Sequence, residues 1–135
     1  MIAPARPLAE MTEKDWSAQV AELARTLSWL RYHTYRSSRS EGGWPDEALV
    51  RDRLVLAELK REGARPSAPQ KVWLDDLAAA GCEVYLWTPA DLPEVARILG
   101  KRWRWSAYNR SLQADGHGWT PSTLWITSSD SQEAA

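Results

Sequence analysis

The run Leu54-Val55-Leu56-Ala57 constrains the fold more than any other stretch of this chain. Four apolar residues in a row offer no polar face, so a strand built from them must be covered on both sides. Such a strand belongs in the middle of a sheet, with helices packed on its two faces. The flanking sequence supplies those helices. Thr12 is placed to N-cap one, with Asp15 at its third position and Glu13 at the positive end of its dipole. Trp16, Val20, Leu23, Ala24 and Leu27 then form one apolar stripe. Ser67 and Gln70 make a Ser-x-x-Gln capping box for a second helix, with Trp73, Leu77 and Ala80 on its buried face and Gly81 as its stop. Asp91 with Glu94 reads as a third box, opening a helix through Leu92, Val95, Ala96 and Leu99 to Gly100.

The strands fall between these helices. Ser28 to Tyr35 is rich in aromatics and reads as a strand, and Arg36 to Gly43 as a flexible, mildly basic loop. Pro45 suits the start of a strand, where its missing N–H does least harm. Asp46 to Arg51 forms that strand, Asp52 turns the chain, and Arg53 to Lys60 returns. Cys82 to Trp87 is the last. The expected class is α/β, a central mixed sheet flanked by helices in the order αβββαβα.

With 135 residues the chain has room for one domain and its core. We place that domain at 10–100, followed by a basic and aromatic extension at 101–135 whose end is read as disordered. The single cysteine, Cys82, excludes an intramolecular disulfide and a cysteine-based zinc site, and suits a reducing compartment. The start of the chain lacks the apolar core of a signal peptide, and no stretch approaches the roughly 20 apolar residues of a membrane span. The expected location is therefore the cytoplasm. Net charge is −1, yet from Arg25 to Lys71 there are ten Lys/Arg against six Asp/Glu. From Val72 to Gly100 only Arg97 faces five acids, and Lys101 to Arg110 is purely basic. A positive face with an acidic back suits one-sided binding of a polyanion, although ordinary surface scatter would look similar.

Chemistry concentrates around the apolar run. Trp44-Pro45-Asp46 precedes it and Glu58-Leu59-Lys60 ends it. Alternation puts Glu58 and Lys60 on one face of their strand. A tight turn at Asp52 sets Asp46 opposite the end of that strand, and paired strands lie about 4.8 Å apart. One Mg²⁺ or Mn²⁺ ion spans such a gap, and Mg²⁺ takes one or two protein carboxylates plus substrate phosphate. Asp46, Glu58 and the backbone carbonyl of Leu59 are the candidate ligands, with Glu13 as an additional ligand or ligand-orienting group. Lys60 is the candidate for orienting or deprotonating a water and stabilising developing charge. Arg36, Arg39, Arg61, Arg65 and Lys71 flank the site in sequence as candidate phosphate contacts, though any one of them alone reads as solvated.

Taken in order, a set of short segments resembles the VRR-NUC family of the PD-(D/E)XK nuclease superfamily over roughly residues 12–99. The segments are Glu13 with Gln19, Trp29 to His33, Gly43-Trp44-Pro45-Asp46, Glu58-Leu59-Lys60, Ser67 to Leu74, Ala80-Gly81 and Val84 to Leu92. The resemblance implies a restriction-endonuclease-like fold, Mg²⁺ or Mn²⁺ dependence, and cleavage of branched DNA such as four-way (Holliday) junctions or flaps. It also implies a homodimer of bacterial or phage type. Onto this chain it carries Asp46, Glu58 and Lys60 as the core triad, Gln70 as a helper and Glu13 as the helix-borne acid. One departure is Glu47, at a position the family usually fills with an aliphatic residue. Its side chain is expected to face away from Asp46, leaving that part of the sheet wetter than in relatives.

Several residues keep two readings. Gln70 either assists the site or simply occupies the third position of its capping box. Glu-x-Lys after an apolar run is common, and surface ion pairs with Arg51 or Lys60 would account for Asp46 and Glu58. His33 reads as a hydrogen-bonding group in or beside the sheet, since Mg²⁺ prefers oxygen, and His117 is assigned nothing. Trp44 is favoured as packing under the site over stacking on a splayed base. The Lys101 to Trp105 run suits a single-strand-binding surface or a dimer interface equally. A junction-binding module that does not cut is the competing function, and a structural or regulatory phage protein is a third.

Overall fold

A computed structural model describes residues 7–34 and 41–102. The chain forms a mixed α/β fold. After a short 3-10 turn at Leu8–Glu10 come α1 (Glu13–Thr26), β1 (Leu30–His33), β2 (Glu47–Val50), β3 (Leu54–Leu59), α2 (Ala68–Ala79), β4 (Glu83–Trp87), a 3-10 turn at Pro89–Asp91, and α3 (Leu92–Gly100). The four strands make one sheet in the order β1-β2-β3-β4. The pairs β1/β2 and β2/β3 are antiparallel, whereas β3 and β4 run parallel, joined by α2. A parallel pair requires such a crossover.

Helices cover both faces of β3, as its apolar run demands. On one face Val55, Ala57 and Leu59 pack with Trp16, Val20 and Ala24 of α1 and with Val95, Ile98 and Leu99 of α3. On the other, Leu56 and Val84 meet Leu74 and Ala78 of α2. The cover is incomplete at one corner, where Leu54 is exposed.

Local signals account for the helix boundaries. The Thr12/Asp15 and Ser67/Gln70 boxes both close reciprocally. Gly81 stops α2 with φ of 92°, while the Gly81 N–H donates to Ala78 and the Cys82 N–H to Leu77. This is the paired-bond ending in which one residue takes a left-handed conformation. Ser28 performs the same office for α1, with φ of 68°, its N–H donating to Arg25 and the Trp29 N–H to Ala24. The first strand therefore begins at Leu30 rather than at Ser28, because Ser28 and Trp29 are spent closing the helix. Tyr35 lies outside the described residues. The third box also differs from expectation. Asp91 accepts from the backbone N–H and hydroxyl of Thr88 and so orders the turn before α3, while Glu94 pairs with Arg97 within the helix.

No helix among the described residues is long and apolar enough to cross a membrane. Residues 103–135, which hold most of the extension, lie outside the described residues, as do Arg36, Arg39 and His117.

Candidate active site

The register of β2 on β3 pairs Glu47 with Ala57, which brings Asp46, one residue before β2, beside the end of β3. Asp46 is anchored there by Oδ2, which accepts the backbone N–H of Leu59 at 3.1 Å. Glu58 sits on the α2 face of β3, only 1% exposed. Its Oε1 accepts from the Gln70 side-chain Nε2 at 2.9 Å. Its Oε2 is buried and has no hydrogen-bond partner among the described residues. Burial, followed by the charge of neighbouring Asp46 and a proton shared between the two carboxyl groups, pushes the Glu58 carboxyl up to about 9, against the opposing pull of Lys60.

Lys60 follows immediately. Its backbone N–H donates to the Trp87 carbonyl at 3.0 Å, tying the end of β3 to β4. Its Nζ lies 3.9 Å from Glu13 Oε1 at the start of α1. Trp87 O also accepts the indole N–H of Trp16 at 3.0 Å. One carbonyl thus locks α1, β3 and β4 together beneath the site.

The two readings of Gln70 turn out to be compatible. Its Oε1 accepts the Ser67 backbone N–H at 2.8 Å while its Nε2 holds Glu58. The capping box fixes the rotamer that aims the amide. Gly43 brings this helix end into place. Its φ is 99°, and a Cβ there would meet the Pro69 carbonyl group at 2.5 Å and the Gln70 nitrogen at 2.8 Å. Only glycine permits that approach. The Gly42 carbonyl accepts the Trp73 indole N–H, and Trp44 packs edge-on against Trp73 at 5.1 Å. Trp44 therefore packs beside the site, and the end of the segment read as a flexible loop is a fitted contact. Gly43 was expected as the end of a loop and as part of the Gly43-Trp44-Pro45-Asp46 segment, not as a close contact of α2.

A cleft of about 440 Å³ opens next to Asp46 and Leu59, walled also by Glu13 and Ser17 of α1 and by Arg31 and His33 of β1. Glu47 lies behind it and is fully buried. It receives Arg31 through two bonds of 2.7 Å, His33 Nδ1 at 2.8 Å and Ser17 at 3.3 Å. Glu47 is therefore enclosed by its partners at this part of the sheet. Three side chains hydrogen-bond the carboxylate, and two of them come from an adjacent strand that sequence separation concealed.

Of the candidate residues, Asp46, Glu58, Leu59, Lys60, Gln70 and Glu13 converge on one corner of the sheet. Arg61 and Arg65 are exposed in the segment after β3, and Lys71 is exposed on α2, 3.4 Å from Asp75. Among the described residues no group of three or more His, Cys, Asp or Glu side chains is placed to hold a metal ion. Glu13 leans to Lys60 instead of adding a third carboxylate. The remaining donors are all oxygen: the Asp46/Glu58 pair, with an unpartnered Glu58 oxygen. That chemistry fits a hard divalent cation such as Mg²⁺, which takes few protein carboxylates and completes its shell with water and phosphate. Compared with protein-family models, with curated proteins and with solved structures, the chain gives no match.

Proposed function

We propose that this chain is a Mg²⁺- or Mn²⁺-dependent endonuclease that hydrolyses phosphodiester bonds in branched DNA. The reading includes a restriction-endonuclease-like fold and membership of the VRR-NUC family. The observation that carries it is the buried Glu58 oxygen that no donor among the described residues reaches, set beside Asp46 and close to Lys60. Unpaired buried carboxylate oxygens are costly, and they are tolerated where a ligand completes them.

In this reading Asp46, Glu58 and the Leu59 carbonyl would hold the ion. The ion, when bound, supplies positive charge to the phosphodiester and lowers the pKa of an attacking water. Gln70 holds Glu58 in the orientation that presents Oε2. Lys60 orients the water and stabilises the charge that develops as water adds at phosphorus and the P–O bond breaks. Glu13 keeps the Lys60 ammonium at the rim of the cleft. Arg61, Arg65 and Lys71 are exposed on the adjoining surface, where they meet phosphates. The protein acts as a homodimer in the cytoplasm of a bacterial or phage-infected cell, since a two-fold junction calls for two symmetric cuts. Light scattering that finds a monomer at micromolar concentration removes the dimer from this account.

The deciding experiment is cleavage of labelled four-way junction, flap and linear duplex in Mg²⁺ or Mn²⁺, with Lys60→Ala in parallel. Structure-selective cutting that the variant loses supports the proposal. A second reading is a junction-binding module that does not cut. Calorimetric titration with Mn²⁺ separates the two: heat that Asp46→Ala abolishes supports the nuclease, and absence of binding supports the module. Salt-insensitive or undetectable DNA affinity would sink both, because neutralising phosphates releases counterions.

A further inference from the structure

The cleft beside Asp46 and Leu59 has walls that the proposed chemistry does not use. On α1, Trp16, Val20 and Ala24 are buried in the core. Lys14, Ser17, Ala18 and Ala21 form a second stripe on that helix, at i, i+3, i+4 and i+7, and all four line the cleft. Three of these side chains are small, where a leucine or an arginine would fill the space. Another wall is polar. Arg31 and His33 line it from β1. Both are fastened to the fully buried Glu47, Arg31 through Nε and Nη2 and His33 through Nδ1. One buried carboxylate thus holds two planar side chains at the edge of the same cleft.

Volume, charge and position together select an occupant. The volume of about 440 Å³ falls among sites of roughly 300–1,000 Å³ that enclose a small organic group. Among the described residues the cleft sets Glu13 and Asp46 against Lys14 and Arg31, and the Arg31 charge is already met by Glu47. A phosphate entering it would meet two carboxylates with little surplus positive charge. A neutral heterocycle meets no such opposition. It finds apolar contact at Ala18, Ala21 and Leu59, and in Arg31 and His33 the two kinds of planar side chain, guanidinium and imidazole, on which splayed bases stack. Asp46 belongs both to this cleft and to the carboxylate pair with Glu58, so an occupant of the cleft lies next to the bond to be cut.

We propose that this cleft takes the base of an unpaired nucleotide adjoining the scissile phosphodiester, with Ala18, Ala21 and Leu59 as its apolar wall and Arg31 and His33 as its planar one. The inference rests on the reading of the Asp46/Glu58 corner as a DNA site, and it gives that reading a source of structure selectivity. Drawing a base out of a duplex costs stacking and pairing free energy, which a base at a flap or junction has already lost. Branched DNA is preferred to linear duplex for that reason. Glu47 acquires a role as well: it immobilises Arg31 and His33 beforehand, so little side-chain freedom is lost when a base stacks on them.

Binding with divalent ions chelated tests the proposal without requiring catalysis. The full chain is titrated, by fluorescence anisotropy, against a labelled single-stranded thymidine oligomer and against an abasic oligomer with the same number of phosphates. The thymidine oligomer is expected to bind about tenfold or more tightly. Ala18→Phe fills the cleft from an exposed position of α1 and is expected to abolish that preference while circular dichroism still reports folded protein. Equal affinity for the two oligomers overturns the proposal, and so does binding to neither. A preference that survives Ala18→Phe places the base contact elsewhere and overturns it too. Should that variant fail to fold, Ala18→Met makes the same test with a smaller, flexible side chain. The cleavage assay keeps the two readings apart: base preference in a protein that cuts no junction in Mg²⁺ retains this site and removes the nuclease, whereas cutting without base preference does the reverse.

Discussion

The two ends of the β3/β4 pair carry buried glutamates that are treated in opposite ways. At the start of β4, Glu83 is buried against Arg53, with bonds of 2.7 and 3.3 Å, and accepts the Tyr85 hydroxyl at 2.9 Å. Arg53 in turn donates to the Ile98 and Lys101 carbonyls and lies over the Trp29 ring. Both oxygens of Glu83 have donors. Glu47, a strand away, is likewise saturated by Arg31, His33 and Ser17. At the end of β3, Glu58 is as deeply buried but has one amide donor, a carboxylate for a neighbour and an oxygen that no donor among the described residues reaches. A fold able to satisfy two buried glutamates completely leaves the third unsatisfied. The lesson is that Glu58 is arranged for something that arrives from outside, whereas Glu47 and Glu83 are arranged for the fold.

That contrast can be broken most forcefully at Lys60. Lys60→Ala is expected to lower the cleavage rate about 10³-fold, equivalent to roughly 4 kcal/mol of transition-state stabilisation, with little change in melting temperature. Single-turnover cleavage of a junction measures it, and undiminished cutting would place the chemistry elsewhere. The structural end should respond in the opposite manner. Glu83→Ala strands Arg53 in the core and is expected to destabilise the protein by about 3–4 kcal/mol in urea unfolding, whether or not metal is present. Gly43→Ala comes next. A side chain at φ of 99° and 2.5 Å from backbone is expected to cost about 3 kcal/mol or displace the start of α2, and metal affinity should fall along with stability.

Glu58→Gln sharpens the comparison because its sign is reversed. The native carboxyl is pushed up to about 9, whereas the unfolded one titrates near 4.5. Between those values the native state holds a proton that the unfolded state has lost. The stabilisation is thus complete below about pH 4.5 and declines as pH rises towards 9, by up to about 1.4 kcal/mol per pH unit. Glu83 is raised as well, chiefly by burial, but that contribution is common to both proteins. With divalent ions chelated, Glu58→Gln is expected to flatten the pH profile and to be about 2 kcal/mol more stable at pH 8. Adding Mn²⁺ should raise the melting temperature of the parent protein only. Parallel profiles for the two proteins would mean that Glu58 is as well satisfied as Glu83. The smallest effect belongs to Gln70→Ala, about 1 kcal/mol of stability from the lost capping bond and about tenfold in cleavage from a misaimed Glu58.

How legible each part was follows from the range of the forces involved. The element order, the two reciprocal capping boxes at Thr12 and Ser67 and the Gly81 stop were all readable, because each depends on residues within about five positions. The central place of β3 was readable from Leu54 to Ala57, since only a two-sided cover suits four apolar residues together. Ser28 was misread because a left-handed serine leaves no compositional mark, unlike the glycine at position 81. Asp91 was misread because the same carboxylate suits either of two successive turns, and packing of the Thr88 turn decided between them.

The chain by itself determined which residues could meet: an antiparallel return at Asp52 with fixed alternation brings Asp46 towards Glu58, and a box at Ser67 points one amide towards β3. Only the tertiary structure decided how the charges are distributed among buried sites. Donors for Glu47 come from β1 and α1, those for Glu83 from the β2–β3 turn and Tyr85, and Glu58 receives one amide alone. Desolvation makes each of those outcomes matter by kilocalories, and it depends on which distant segments close over a carboxylate, a quantity that no local spacing encodes.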